Sequence, residues 1–169
     1  MKEYLLIDGY NVINSWPQLK DLLIEDLGEA RAQLIDMMSE YQTYRGLYAI
    51  IVFDAHLVKG SLEKTKNIKG VKVVYTKEKE TADNYIEKFI VNLPKRDRAS
   101  VVTNDWTEQQ MVLGSGGTRI PVRELILDYN NCKRNISKEV EALKTNKDFL
   151  SDRIDPITLE KLERFRRKK

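Results

Sequence analysis

Asp8, Asp54 and Asp105 each follow a short apolar run, and Asp83 opens the helix-like segment TADNYIEKF. Side chains this far apart in sequence do joint chemistry only if the fold gathers them. Gathered carboxylates repel one another, and some keep a proton unless a cation neutralises them. Hard oxygen donors suit Mg²⁺ or Mn²⁺ rather than zinc. Such an ion polarises a phosphoryl oxygen, activates water and stabilises the leaving oxygen, and a second ion can share the work. The chemistry this predicts is phosphodiester hydrolysis. Each aspartate also has a purely structural reading. Asp8-Gly9 is a turn dipeptide, and Asp54 is a loop residue. Asp83 is a favourable charge in a first helical turn behind a Thr81 cap. Asp105 with Glu108 three residues on resembles a capping pair. Their joint position at strand ends is what favours a metal site.

The elements that would do the gathering are legible as four short runs, 4–7, 47–53, 71–75 and 99–103, rich in Val and Ile and bounded by polar residues. They read as buried strands. Helical spacing falls between most of them: Leu27, Ala30, Leu34, Met38 and Tyr41; then Tyr85, Ile86, Phe89 and Ile90; then two shorter helices marked by Met111, Val112 and by Leu125, Ile126. Strands alternating with helices imply crossovers and a mainly parallel sheet covered on both faces. In such a sheet ligands bind beyond the carboxyl ends of the strands, which is where Asp8, Asp54 and Asp105 would emerge. The helix carrying Asp83 follows the third strand, so its N-terminus faces the same edge. Residues 54–70, polar and lysine-rich with no helical period, read as a mobile loop. Beyond about residue 132 the pattern becomes helical: Ser137–Leu150 with Val140, Leu143 and Leu150 inward, then a helix with Asp155 as cap, Pro156 first, and Ile157, Leu159, Leu162 and Phe165 following. The expected organisation is a domain over 1–132 and a C-terminal helical basic extension over 133–169.

The chain has 169 residues, 41% hydrophobic and 33% charged, a composition that excludes wholesale disorder. LYAIIVF, residues 47–53, is the longest apolar run, far short of the roughly 18 residues a membrane span requires. No signal-peptide pattern opens the chain. Cys132 is the sole cysteine and His56 the sole histidine, which rules out an intrachain disulfide, a cysteine zinc cluster and a His-rich metal site. The expected compartment is the reducing cytoplasm. The net charge of +3 is uneven: residues 59–79 and 161–169 each carry a surplus of five positive charges, leaving −7 elsewhere. An acidic body with two basic segments fits a polyanion partner, although solvated lysine-rich faces produce the same pattern.

LLIDGYNVI (5–13), IIVFDAH (50–56), TADNYIEKF (81–89), VVTNDWTEQ (101–109) and GSGGTRIPVREL (114–125) occur in the order found in the NYN-domain ribonucleases, relatives of the PIN-domain nucleases. The chain resembles that family over residues 3 to about 130, and as a whole its bacterial YacP-type branch. The resemblance implies an α/β, PIN-like three-layer sandwich with a mainly parallel central sheet. It also implies a ribosome-associated endoribonuclease that cleaves messenger RNA during translation, with Mg²⁺ or Mn²⁺ and no other small-molecule cofactor. Asp8 and Asn11 match the family's first-strand aspartate and asparagine, and Asp54 its aspartate after the second strand. Asp83 matches the central acidic ligand and Asp105 the acid after the fourth strand. The resemblance thus assigns the metal to Asp8, Asp83 and Asp105, while Asp54 and Asn11 orient water or phosphate. One departure stands out. Many relatives carry a second acid shortly after the Asp105 position; here the stretch reads Thr103-Asn104-Asp105-Trp106-Thr107-Glu108. Whether Glu108 substitutes, and how many metals bind, stays open.

Lys59, Lys64, Lys66, Lys69, Arg96, Arg98, Arg119, Arg166 and Arg167 are the candidate RNA contacts, which would make binding salt-sensitive. Tyr10, Trp16 and Trp106 lie near the expected edge and either stack on bases or pack in the core. His56 has the chemistry of a general acid, although an uninvolved loop histidine is the commoner case. Gly114–Gly117 matches neither a P-loop nor a dinucleotide fingerprint and reads as a flexible turn before a strand. Two rival functions are a haloacid-dehalogenase-type phosphatase, which needs a second Asp where this chain has Tyr10, and a non-catalytic RNA- or ribosome-binding module on the same fold.

Overall fold

The computed structural model describes the backbone of residues 1–56, 59–153 and 156–167, and their side chains except at 147–153, 156, 159 and 165–167. The elements are β1 Glu3–Asp8, α1 Gly9–Ser15, α2 Pro17–Glu25, α3 Leu27–Arg45, β2 Tyr48–Phe53, β3 Lys64–Ile68 and β4 Val71–Tyr75. Then come α4 Ala82–Val91, β5 Arg98–Val102, α5 Trp106–Gly114, β6 Thr118–Ile120, α6 Val122–Arg153 and α7 Pro156–Arg167. They divide into two compact units, Met1–Tyr129 and Asn130–Lys169.

The first unit is built on a six-stranded sheet in the order β3-β4-β2-β1-β5-β6, parallel throughout except for β3, which runs antiparallel to β4. Alternation along the strands sorts their side chains between two faces. Leu6, Ile50, Val52, Val74, Ala99 and Val101 pack with Ala82, Ile86 and Ile90 of α4 and Val112 of α5. Their neighbours Leu5, Ile7, Ile51, Phe53 and Val73 are buried as well, and on that side α1 meets β2 while α3 meets β2 and β4. Burial on both faces explains why β1 and β2 read as unbroken apolar runs rather than alternating ones.

Register sets the strand ends that matter. Asp8 pairs with Val52, and Ile7 with Val102. The chain therefore leaves β2 toward Asp54 and β5 toward Asp105 on the edge where β1 ends at Asp8. Directly after β1 the backbone turns into α1, with Gly9 buried against Phe53. A Cβ at Gly9 would press against the Cδ1–Cε1 edge of the Phe53 ring, closer than real Cβ atoms approach a non-bonded neighbour. Gly9→Ala is expected to cost about 1–3 kcal/mol through overpacking, read as a lowered denaturation midpoint.

Four expectations need correction. The segment 54–70 contains a strand, β3, not only a loop. Its residues Lys64–Asn67 are exposed, so no apolar alternation betrays it, and its lysines guard a sheet edge. It joins β4 through a two-residue turn, Lys69 (φ 52°) and Gly70 (φ 83°), the mirror-image geometry that matches strand twist. The helices α1 and α2 were not anticipated; α1 is barely two turns, and α2 is signalled only by Pro17 at its start. The short helix expected at Leu125 and the separate one from Ser137 are one continuous helix, α6, because no glycine or proline interrupts residues 122–153. Val140 and Leu143, expected inward, are 45% and 65% exposed. A helical period marks an apolar stripe without supplying the surface that would bury it. The expected roles of Leu150, Asp155, Leu159 and Phe165 lie outside the described residues. Among those described, no helix is long and apolar enough to cross a membrane.

Candidate active site

The aspartates at the strand ends serve first as local structure. Asp8 is the N-cap of α1, its Oδ1 accepting from the Asn11 amide at 3.4 Å. Asp105 caps α5, its Oδ1 accepting from the Thr107 and Glu108 amides at 2.8 and 3.1 Å. Thr81 caps α4 through the Asn84 amide, which leaves Asp83 in the first turn without a capping duty. Short polar side chains are favoured at caps because they satisfy otherwise orphaned amides.

Glu108 breaks the pattern of a reciprocal capping pair. In that motif its carboxylate would reach back to the Asp105 amide. Here the Asp105 amide donates instead to Thr103 Oγ1 at 3.0 Å. Glu108 is 1% exposed, and neither of its carboxylate oxygens has a hydrogen-bond partner. Ligand atoms from Asp8, Asp83 and Glu108 all lie within 4.8 Å of one another. Among the described residues no ion pair reaches any of these three.

The electrostatic consequence follows from burial and mutual repulsion. Burial, aided by the charges of Asp83 and Asp54, pushes the Asp8 carboxyl up to about 6 against the opposing Asn11 amide. Burial, with the charges of Asp8 and Asp83 behind it, pushes Glu108 up to about 9. Asp83 is raised by burial and by the charges of Asp105 and Asp54. Without a cation the cluster therefore retains protons at neutral pH. A buried carboxylate with both oxygens orphaned, facing two more carboxylates, is a donor set that fits a hard divalent cation.

The remaining residues expected at the site sort differently. Asp54 is a brace. Its Oδ2 accepts from the Ala82 amide at 3.3 Å, tying the end of β2 to the helix that carries Asp83, and its Oδ1 meets the amide and ring Nδ1 of His56. Asn11 Oδ1 accepts from the Asn104 amide at 2.8 Å, and Asn104 Oδ1 accepts from the Val122 amide at 3.0 Å. This chain of contacts locks the turn after β1 to the turn after β5. Asp105 acts on Asp83 through its charge, and the acids whose oxygens converge are Asp8, Asp83 and Glu108. Glu108, whose substitution for the relatives' second acid the sequence leaves open, is the third member of this cluster; its one readable signal is its place three residues after a capping aspartate.

The basic residues divide by register. Lys59 and Lys64 line a cavity of about 480 Å³ that starts at Ala55 and includes Tyr75, beside the acidic edge. Lys66 is exposed along β3. Lys69 sits at the far end of the hairpin, paired with Asp36 at 2.7 Å. Arg96 and Arg98 precede and open β5, so they too occupy the opposite edge. Arg119, on β6, is bound to Gln109 Oε1. The side chains of Arg166 and Arg167 lie outside the described residues.

Comparison with known proteins agrees with this architecture. Residues 5–167 match the YacP-like NYN domain. The chain is 43% identical over 166 residues to the uncharacterized protein YacP of Bacillus subtilis (strain 168), covering 98% of this chain and 97% of that one. The crystal structure of Rae1 (YacP) from Bacillus subtilis is similar, with a TM-score of 0.72 and 42% identity over 97% of this chain and 94% of that one. The crystal structure of a single-substitution mutant of the same protein gives a TM-score of 0.74 and 41% identity over 86% and 85%. The six-stranded, mostly parallel sheet is thus a PIN-like NYN fold, and the relationship supports a nuclease-type, RNA-related function. Matched along nearly its whole length, the chain belongs to the YacP-like NYN domain family.

Proposed function

We propose that this protein is a divalent-metal-dependent endoribonuclease that cleaves single-stranded RNA, with messenger RNA on the translating ribosome as its substrate and the cytoplasm as its compartment. The observation that carries the reading is the convergence of Asp8, Asp83 and Glu108 within 4.8 Å, with both Glu108 oxygens buried and unpartnered. In this reading the three hold Mg²⁺ or Mn²⁺, and Asp105 adds negative charge beside Asp83. The ion, when bound, supplies charge neutralisation at the scissile phosphate and a more acidic water. The chain's own residues do the rest. Asp54 holds the first turn of α4 in place, and Asn11 holds the turn that carries Asp105. Lys59 and Lys64 draw the phosphate backbone toward an otherwise acidic edge. Single strands are favoured because a flexible backbone enters a cleft and offers unstacked bases. The basic residues of 161–169 are consistent with a ribosomal RNA surface as partner. We assign the nuclease domain to 1–132 and this auxiliary role to 133–169.

Cleavage of a single-stranded RNA with and without Mg²⁺ or Mn²⁺ tests the proposal. Asp8→Asn and Asp83→Asn are expected to fold and to lose cleavage by on the order of a thousandfold, at about 1.4 kcal/mol per tenfold. Full activity in either folded variant removes that residue from the mechanism. RNA binding without any metal-dependent cleavage establishes the rival reading, a binding module. Mapping RNA ends in cells carrying native or Asp8→Asn protein, with translation on and off, tests the ribosomal setting.

A further inference from the structure

The two tryptophans have opposite fates. Trp16 is 3% exposed and packs edge-on against Tyr129, whereas Trp106 is 70% exposed. Tyr10, the third aromatic near the edge, packs on Phe53 and its hydroxyl accepts from Arg31. Of the three, Trp106 is the one that is largely exposed, and it follows Asp105 directly.

Its backbone is not left loose. Asn104 is held at its amide by Asn11 and through its side chain by the Val122 amide. The Asp105 amide is held by Thr103, and the Asp105 carboxylate caps the turn that Trp106 begins. A large, exposed apolar ring on a pinned backbone, next in sequence to an acid whose charge acts on the cluster, is available to a flat partner. Little ordering entropy remains to be lost on contact.

The sheet order states what lies across from it. Along the edge at the strand ends run Trp106 after β5, Asp8 at the end of β1, Asp54 after β2, Tyr75 at the end of β4, and Lys64 at the start of β3. Four strand spacings separate the outer two, about 19 Å. The turn that carries Trp106 therefore lies on one side of the acidic edge and the lysine-lined cavity on the other. A ligand that satisfies all three must be flat and apolar at one point and anionic along its length. A single strand of nucleic acid with an unstacked base has that chemistry.

We infer that Trp106 forms a base-binding subsite, stacking on one unpaired base of a single-stranded RNA whose backbone crosses the acidic cluster toward Lys64 and Lys59. This rests on the nuclease reading above and adds to it where the strand lies. Stacking on an aromatic ring tolerates any base, so the subsite selects for single-strandedness rather than sequence.

The test uses the full chain and a short single-stranded RNA. Binding is measured in the Asp83→Asn background, so that the probe is held uncut. Because Trp16 is buried, the accessible emission belongs to Trp106. RNA is expected to quench it, and the quench is expected to vanish in Trp106→Ala. Affinity should fall about tenfold or more with alanine and return largely with Trp106→Phe. The slope of affinity against salt should be unchanged by Trp106→Ala, because a neutral ring releases no counterion, whereas Lys64→Gln should lower it by about one. A retained Mn²⁺-induced thermal shift in Trp106→Ala excludes a folding defect. If native protein cleaves RNA and Trp106→Ala binds and cleaves equally well, the subsite is wrong and the nuclease reading stands. If native protein neither binds nor cleaves RNA, both fall.

Discussion

Glu108→Gln is expected to give a protein that is more stable without metal and inactive with it. In the cation-free native protein Glu108 is buried beside Asp8 and Asp83 and holds its proton to about pH 9, whereas in the unfolded chain it ionises as an ordinary carboxyl. The unfolded state therefore gains free energy from ionisation that the folded state forgoes. Glutamine removes this difference. The stabilisation should be absent near pH 4, where both states are protonated, and should grow as pH rises toward 9. One kcal/mol moves the midpoint of a chain this size by about 2–4 °C, so the gain is readable by thermal unfolding in chelator at two pH values. The same variant should lose the thermal shift with Mn²⁺ and cleavage by on the order of a thousandfold, as a site built on three carboxylates loses one. Glu108→Gln with native stability at every pH and native activity would take Glu108 out of the site.

The cation-free native protein is expected to lose stability as pH rises, the opposite of acid denaturation. The raised carboxyls bind more protons folded than unfolded, so the slope of unfolding free energy against pH is negative. For Asp8 the loss runs from about pH 4 to about 6, and for Glu108 on to about 9; Asp83 adds in the same direction. Each proton so held contributes about 1.4 kcal/mol per pH unit. A divalent cation reverses this by replacing the protons. At a hundred times its dissociation constant it should add about 2.7 kcal/mol, raising the midpoint most at pH 8–9 and least near pH 5. Midpoints measured from pH 5 to 9 with chelator, Mg²⁺ and Mn²⁺ check this. A chelated protein whose midpoint climbs with pH over that range would contradict the protonated cluster.

The carboxylate cluster suggests why such stability is given up. Removing any of these acids should relieve repulsion, a pattern expected where a site is held against folding preference for its chemistry. Asp8 and Asp105 soften the cost by capping helices, so each has a structural reason to be where it is. That double duty is also what made each aspartate ambiguous when taken singly.

What local sequence established is what local physics controls. Apolar runs bounded by polar residues located β1, β2, β4 and β5, and their shared edge followed from the parallel crossovers. The acids at 8, 54, 83 and 105 could be read because each adjoins the start or end of a run. Invisible to that reading was everything whose partner is remote. Exposed β3 has no apolar period, and only pairing with β4 makes it a strand. Lys64 and Lys69 are five residues apart in one basic segment, yet register sends them to opposite edges. Nothing within residues 103–108 decides which acid turns inward. Thr103 takes the Asp105 amide, Asp105 takes the helix cap, and Glu108 is left to face Asp8 and Asp83. Nor does local pattern separate Trp16 from Trp106, since burial of a ring depends on what the rest of the chain packs against it. Periodicity and punctuation are properties of neighbours along the chain, whereas convergence and exposure are properties of neighbours in space.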